Sequence, residues 1–282
     1  MNMKKALTIA GSDSGGGAGI QADLKTFQEL KVFGTSALTA VTAQNTLGVQ
    51  GVFPMSPEAV GEQIQSVGED IGADALKTGM LFNAEIIQAV SEKIKQFGWD
   101  KVVVDPVMIA KGGASLLQQE AVSALKKHLL PLCHIITPNI PEAEVLTGMS
   151  IRGTDEKKEA AKRIHALGAK NVVIKGGHDE ETNESIDVLF DGKEFAYFST
   201  SRIETNNTHG TGCTFSAAIT AQLAKGSSVH QAVSVAKEFI QAAIANPLMI
   251  GNGHGHGPTN HWAYNMKRES GASSCQESVL KR

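Results

Sequence analysis

Within nine residues, Thr208-His209-Gly210-Thr211-Gly212-Cys213-Thr214-Phe215-Ser216 join a glycine-punctuated loop, a cysteine and the start of an apolar-periodic run. Phe215, Ala218, Ile219 and Leu223 recur at three- and four-residue spacing, which predicts a helix from Cys213 to Ala224. A helix N-terminus gathers unpaired N–H groups and the positive end of the helix dipole, a setting that suits a phosphate or an oxyanion. The same field lowers a thiol pKa from about 8.5 towards neutrality, which would fit Cys213 for general-base work. Taken alone, the stretch also suits a small-residue turn before a core helix, with the thiol buried and inert.

Other residues with chemical potential stand where short apolar runs end. Asp105 precedes Pro106, which holds it extended. By itself it is equally a turn residue or a ligand. Asn139 and Glu142 flank Ile140-Pro141 at the start of a helix-like segment. There an acid is favoured by the dipole alone, and Asp105 with Glu142 could equally hold hydrated Mg²⁺, which needs only one or two carboxylates beside phosphate oxygens. Lys175 follows an apolar run and Lys237 lies inside one. Either is a snorkelling lysine or a counter-charge for triphosphate.

To converge, these residues need a scaffold that brings strand ends together. Strand-like runs are expected at Lys4–Ala10, Thr35–Ala43, Ala75–Thr78, Val102–Asp105, Ile135–Thr137 and Val172–Lys175. Helices are expected at Ile20–Leu30, Ser56–Asp70, Ala84–Phe97, Leu116–Leu130, Thr154–Leu167 and Val229–Ala245, with a hairpin Ile186–Phe190/Phe195–Phe198 turning at Asp191-Gly192-Lys193. Such alternation specifies an α/β fold with a mostly parallel sheet covered on both faces. Ligands of such sheets bind beyond the C-terminal strand ends. Gly11-Ser12-Asp13, Gln44-Asn45, Lys77-Thr78-Gly79-Met80, Asp105-Pro106, Thr137-Pro138-Asn139 and Lys175-Gly176-Gly177 fall there. No linker divides the chain, so residues 1–264 are read as one domain and 265–282, which lack periodicity, as a disordered tail containing Cys275.

Composition narrows the function classes. A net charge of -3 and 5% aromatic content argue against a nucleic-acid or membrane-surface binder. No run reaches the length of a membrane-spanning helix or a signal-peptide core, and three dispersed cysteines fit a reducing cytoplasm. Gly17-Ala18-Gly19-Ile20-Gln21-Ala22 satisfies a dinucleotide fingerprint, yet no acidic residue ends the next strand. The only Gly-Lys pair is followed by Glu194, so a Walker A loop is absent. His254, His256 and His261 lie among glycines with no acid or cysteine to complete a metal set, and the segment is read as a terminal turn.

Gly11 to Asp23, Thr42-Ala43-Gln44-Asn45-Thr46, Lys77-Thr78-Gly79-Met80, Asp105-Pro106-Val107-Met108, Thr137 to Glu144 and His209 to Thr214 resemble, as a set, the bacterial hydroxymethylpyrimidine/phosphomethylpyrimidine kinases of the ribokinase-like superfamily. The resemblance runs from about Ala6 to Tyr264. It implies a three-layer α/β/α sandwich with a mostly parallel central sheet, usually a dimer, that uses MgATP to phosphorylate a hydroxymethylpyrimidine and then its monophosphate. It makes Cys213 the base, with Gly210, Thr211, Gly212 and Cys213 itself supplying the anion hole. Gly11, Asp23, Gln44, Met80 and Val107 match the pyrimidine pocket. Asp105, Asn139, Lys175, Thr208 and Lys237 match the nucleotide and phosphate positions, and Glu142 with Asp105 the Mg²⁺ site. Gln44 offers one acceptor and two donors, which can pair bidentately with an exocyclic amine and its adjacent ring nitrogen.

Overall fold

Strand β1 (Lys5–Asp13) is built from apolar residues on both faces, and it leads through a glycine loop into α1 (Gly19–Glu29). The computed structural model describes residues 3–108, 119–177, 183–250 and 255–269. The chain continues through β2 (Phe33–Asn45), β3 (Gly48–Pro54), α2 (Pro57–Asp70), β4 (Ala75–Thr78), α3 (Ala84–Phe97), β5 (Val102–Val104) and α4 (Gln119–Ala124). Next come β6 (Ile135–Ile136), α5 (Ile140–Thr147), α6 (Thr154–Ala166), β7 (Asn171–Ile174), β8 (Glu184–Phe190), β9 (Phe195–Ser201), α7 (Thr211–Ala224), α8 (Val229–Ala245) and α9 (Ala263–Glu269).

These strands form a nine-stranded sheet in the order β3-β2-β1-β4-β5-β6-β7-β8-β9. The segment from β2 to β7 is parallel, while β3 at one edge and β8 and β9 at the other run antiparallel to their neighbours. Successive side chains of one strand enter opposite layers, as the two-residue period requires. Val102, Val104, Ile136, Val172 and Ile174 pack with α2 to α6, whereas Val103, Ile135 and Val173 pack with α1, α7, α8 and α9. This is the expected α/β/α sandwich. Local signals agree with it: Ser56 accepts from the Ala59 N–H at 3.2 Å with Pro57 at the first helical position, and Asn83 caps α3.

Three departures from expectation have physical causes. The strand β3 carries Gly48, Gly51 and Pro54, weak strand formers that are tolerated because it is an edge strand paired along β2. The helix expected to end at Leu130 widens into a π turn at Leu125–Leu129 and tightens into a 3₁₀ turn at Leu130–Leu132, where Pro131 removes a donor; its expected start at 116–118 lies outside the described residues. Asn265, expected to begin a disordered tail, instead lies in α9, where its Nδ2 donates to the Glu29 carbonyl at 2.8 Å and its carboxylate at 2.6 Å. Residues 270–282, with Cys275, lie outside the described residues, as does His254.

Candidate active site

The C-terminal ends of the parallel strands open into a cavity of about 380 Å³. One wall is the loop after β1. The Asp13 carboxylate accepts from the backbone N–H groups of Gly15 at 2.8 Å, Gly17 at 3.0 Å and Ala18 at 2.8 Å, which folds the loop into a tight nest. Burial opposes the charge on Asp13, but hydrogen bonds from His209 and Ala18 keep its carboxyl below the usual range. His209 Nε2 lies 2.9 Å from Asp13 Oδ2 and 3.3 Å from Gln44 Nε2. An anionic carboxylate only accepts, so His209 Nε2 carries the proton and cannot also accept from Gln44. The amide donors of Gln44 are therefore left for a ligand.

The Asp13–His209 bond also clamps the β1 loop onto the loop before α7. Gly210 closes that contact with φ at 83°, and a Cβ there would meet the Gly17 carbonyl oxygen at 1.8 Å. Only glycine satisfies both the left-handed backbone and the close approach. Thr208, Thr211, Gly212 and Cys213 follow along the wall, with Cys213 in the first turn of α7 as expected.

Opposite this wall stand the charged strand ends. Lys175 Nζ lies 3.2 Å from Asp105 Oδ1 and 4.0 Å from Glu142 Oε2. Asn139 and Glu142 form a reciprocal capping box, in which each side chain accepts from the other's backbone N–H at 2.8 Å. Glu142 is thus the helix-start acid and also a cavity-facing carboxylate. Burial pushes its carboxyl upward, Asp105 adds to the shift and Lys175 opposes it. The Lys175 ammonium is kept protonated above its ordinary range, because Asp105 and Glu142 outweigh its burial. Ser216, one turn into α7, donates to Asp105 Oδ2 at 3.2 Å.

Gly11, Gln44, Met80, Asp105, Val107, Asn139, Glu142, Lys175, Thr208 and Gly210 to Cys213 all line the cavity. Two expected residues do not. Asp23 is fully buried beneath the floor, where Thr8 Oγ1 donates to it at 2.6 Å and Lys77 Nζ at 2.7 Å. Facing inward from α1, it is an ion-pair partner with no surface towards a ligand. Lys237 is buried against β8, 2.9 Å from Asp187 Oδ2 and 3.1 Å from Ser185 Oγ, and its charge is already matched.

A third expectation is corrected at Cys213. Burial dominates: the thiol is pushed up to about 11, with Lys77 and the Gly19 N–H opposing the shift and Asp23 and Asp105 adding to it. Sequence reasoning placed Lys77 and Asp13 at strand ends but assigned neither a role. A lysine inside the apolar run Ala75–Thr78 is the signal that was available for Lys77. Of the glycine-rich histidine segment, His256 is exposed and His261 is buried, 3.0 Å from Thr214 Oγ1.

Residues 13–260 match the phosphomethylpyrimidine kinase family. The chain is similar to the hydroxymethylpyrimidine/phosphomethylpyrimidine kinase of Bacillus subtilis, 59% identical over 96% of this chain and 98% of that protein. It is also similar to the Haemophilus influenzae protein of the same description, 56% identical over 93% and 98%. Among solved structures it resembles the Staphylococcus aureus pyridoxal kinase in complex with AMP-PCP and pyridoxal, with a TM-score of 0.86 and 40% identity over 94% of this chain and 96% of that one. Fold, strand-end cavity and sequence therefore agree: the chain belongs to the phosphomethylpyrimidine kinase family.

Proposed function

We propose that this protein transfers the γ-phosphoryl group of ATP to the alcohol of 4-amino-5-hydroxymethyl-2-methylpyrimidine and then transfers a second to the resulting monophosphate, a step of thiamine biosynthesis. It is an enzyme of the hydroxymethylpyrimidine kinase and phosphomethylpyrimidine kinase type, and residues 1–264 act as one catalytic unit. The observation that carries the reading is one cavity joining the Gln44 amide, the Cys213 sulfur and the Asp105/Glu142/Lys175 cluster.

Gln44 pairs with the aminopyrimidine edge, and Gly11, Met80 and Val107 enclose the ring. In the first step the alcohol oxygen bonds to the γ-phosphorus as the bond to the ADP oxygen breaks. The alcohol proton passes to the Cys213 thiolate. Backbone N–H groups of Gly210, Thr211 and Gly212 at the start of α7 receive charge developing on the transferred group, and Thr208, Asn139 and Lys175 hold nucleotide phosphates. In the second step the nucleophile is a phosphate monoester, with its second pKa near about 6, and needs no base.

Asp105 and Glu142 suit a divalent cation: two carboxylates face one cavity, and burial, with Asp105 adding to it and Lys175 only partly opposing it, raises Glu142. These two residues would hold Mg²⁺ through water. Held there, the ion would supply positive charge that offsets the phosphate charge which Lys175 and the α7 N–H groups also face.

The test is an ATP-consumption assay with the hydroxymethylpyrimidine and with pyridoxal side by side, followed by product mass. A product carrying two phosphates is expected, with higher kcat/KM for the pyrimidine. Higher kcat/KM for pyridoxal would reassign the substrate, and no turnover with either would make the protein a non-catalytic binder. We further infer a cytoplasmic homodimer. The exposed apolar residues Leu47, Phe53 and Val41 of the β2–β3 edge support it, and light scattering should give a mass near twice 29.8 kDa. Among the described residues no helix is long and apolar enough to cross a membrane.

A further inference from the structure

Gln44 stands at a bulge, where the register of β2 on β3 shifts between Ala43 and Gln44. Its backbone is pinned to the β1 loop: the Ser14 hydroxyl donates to the Gln44 carbonyl at 2.7 Å and accepts from the Gln44 N–H at 2.8 Å. The side chain still has a choice, because a half-turn about its last bond exchanges the amide oxygen and nitrogen with no change of shape. Two neighbours bear on that choice. On one side His209 Nε2 lies 3.3 Å from the amide nitrogen, and the Asp13 carboxylate keeps the proton on that Nε2. The imidazole is held in turn through its backbone, with its N–H donating to the Gly257 carbonyl at 3.1 Å and its carbonyl accepting from the Thr259 N–H at 3.2 Å. On the other side Thr42 Oγ1 lies 3.2 Å from the amide oxygen and 2.8 Å from the Ser12 carbonyl, which only accepts and so takes the hydroxyl proton. This orientation sets an N–H against an N–H, and an oxygen against a hydroxyl whose proton is engaged. The turned orientation matches both sides: the amide oxygen meets the His209 N–H, and an amide N–H meets the free lone pair of Thr42. Of the two amide donors that His209 leaves free, the other then stands beside the carbonyl oxygen on the open side of the cavity. Asp13 and Thr42 are buried, so their polar atoms depend on these partners.

We infer that Asp13, His209 and Thr42 are positioning residues that fix the polarity of the Gln44 amide, oxygen towards His209 and nitrogen towards Thr42. Through it they select a ligand edge with a donor on the His209 side and an acceptor on the Thr42 side. An aminopyrimidine has that edge, its exocyclic amine donating and its adjacent ring nitrogen accepting. An oxopyrimidine, with a carbonyl beside a ring N–H, has the reverse and meets like with like. This selection rests on the proposed pairing of Gln44 with the pyrimidine, whereas the proton on His209 Nε2 can be read without any substrate.

The test compares kcat/KM for 4-amino-5-hydroxymethyl-2-methylpyrimidine with that for its 4-oxo analogue, in the full-length protein with MgATP. Wild type should prefer the amino compound by about 10²-fold. His209→Leu removes the N–H, and Thr42→Val removes the hydroxyl while keeping the branched shape. Each should bring the preference below about tenfold, because the Gln44 amide can then turn. His209→Gln, whose terminal amide can still donate to both Asp13 and Gln44, should keep the wild-type preference. A merely structural role would lower turnover of both compounds alike and leave the ratio unmoved. That result, or a preference lost equally in His209→Gln, would overturn the inference. In the ligand-free protein, the imidazole ¹⁵N signals that vanish in His209→Gln should show Nε2 protonated, and an Nε2 without a proton would overturn it as well. If pyridoxal proves the better substrate while the variants still move the amino-to-oxo ratio in this way, the proposed function fails and the control of Gln44 stands. If the pyrimidine gains two phosphates but the ratio is unmoved, the control of Gln44 fails alone. No turnover of either pyrimidine would overturn both.

Discussion

At the scale of single residues, Cys213 divides the two phosphorylations. A primary alcohol needs a base, worth about 10²- to 10⁴-fold, whereas a monoester dianion does not. Cys213→Ala should therefore reduce kcat for the alcohol by about 10²-fold or more and kcat for the monophosphate by less than about tenfold. Equal losses in separate rate measurements would remove the base from the mechanism. The thiol's position near about 11 adds a pH signature. Only the deprotonated form accepts a proton, so the active fraction grows as pH rises towards that value. The alcohol step should accelerate from pH 7 to 9 while the monophosphate step stays nearly flat, and a flat profile for both would contradict the assignment.

At the scale of elements, the start of α5 shows one set of residues serving structure and chemistry together. The capping box between Asn139 and Glu142 satisfies two orphan N–H groups and thereby aims the Glu142 carboxylate into the cavity. Asn139→Ala should cost about 1 kcal/mol of stability. It should also raise KM for MgATP several-fold, because Glu142 loses its restraint. Asn139→Asp, which can still cap, should recover the stability, measurable by denaturant unfolding. Much of this element level was legible beforehand: Ser56-Pro57, the Asp191-Gly192-Lys193 turn and the short β-branched strands carry local signals strong enough to form the same structure in most contexts. Strand β3 and helix α9 were not legible, because Gly48, Gly51 and Pro54 in one, and the shortness of the other, leave their formation to partners: β2 along one side, Glu29 on the other.

At the scale of the whole molecule, the C-terminal stretch closes the fold by burying His261 against α7, where its ring meets Thr214. Burial, helped by Lys25, lowers its pKa from 6.5 to about 4. Between those values the unfolded chain binds a proton that the folded chain does not, so stability rises with pH across the window and is lost as pH falls through it. The ceiling for this one residue is about 3 kcal/mol. His261→Asn should flatten that slope, making the fall in Tm between pH 7 and pH 5 smaller than in the wild type. An unchanged fall would show that the ring is not held neutral.

By itself, the sequence determined the alternation of strands and helices, and with it the end of the sheet where polar strand-end residues must meet, because hydrophobic period and turn chemistry are local. Gln44, Asp105, Glu142, Lys175 and Cys213 were identifiable on that basis and share one cavity. Only the tertiary structure decided what each charge does. Asp23 and Lys237 have the residue types for ligand binding, yet packing turns one under the floor and the other onto β8. The thiol at the helix start was expected near neutrality and is pushed upward, because desolvation and the opposed fields of Lys77, Asp23 and Asp105 depend on chain segments far apart in sequence. Electrostatic energy depends on distance and burial, and both are properties of the folded chain.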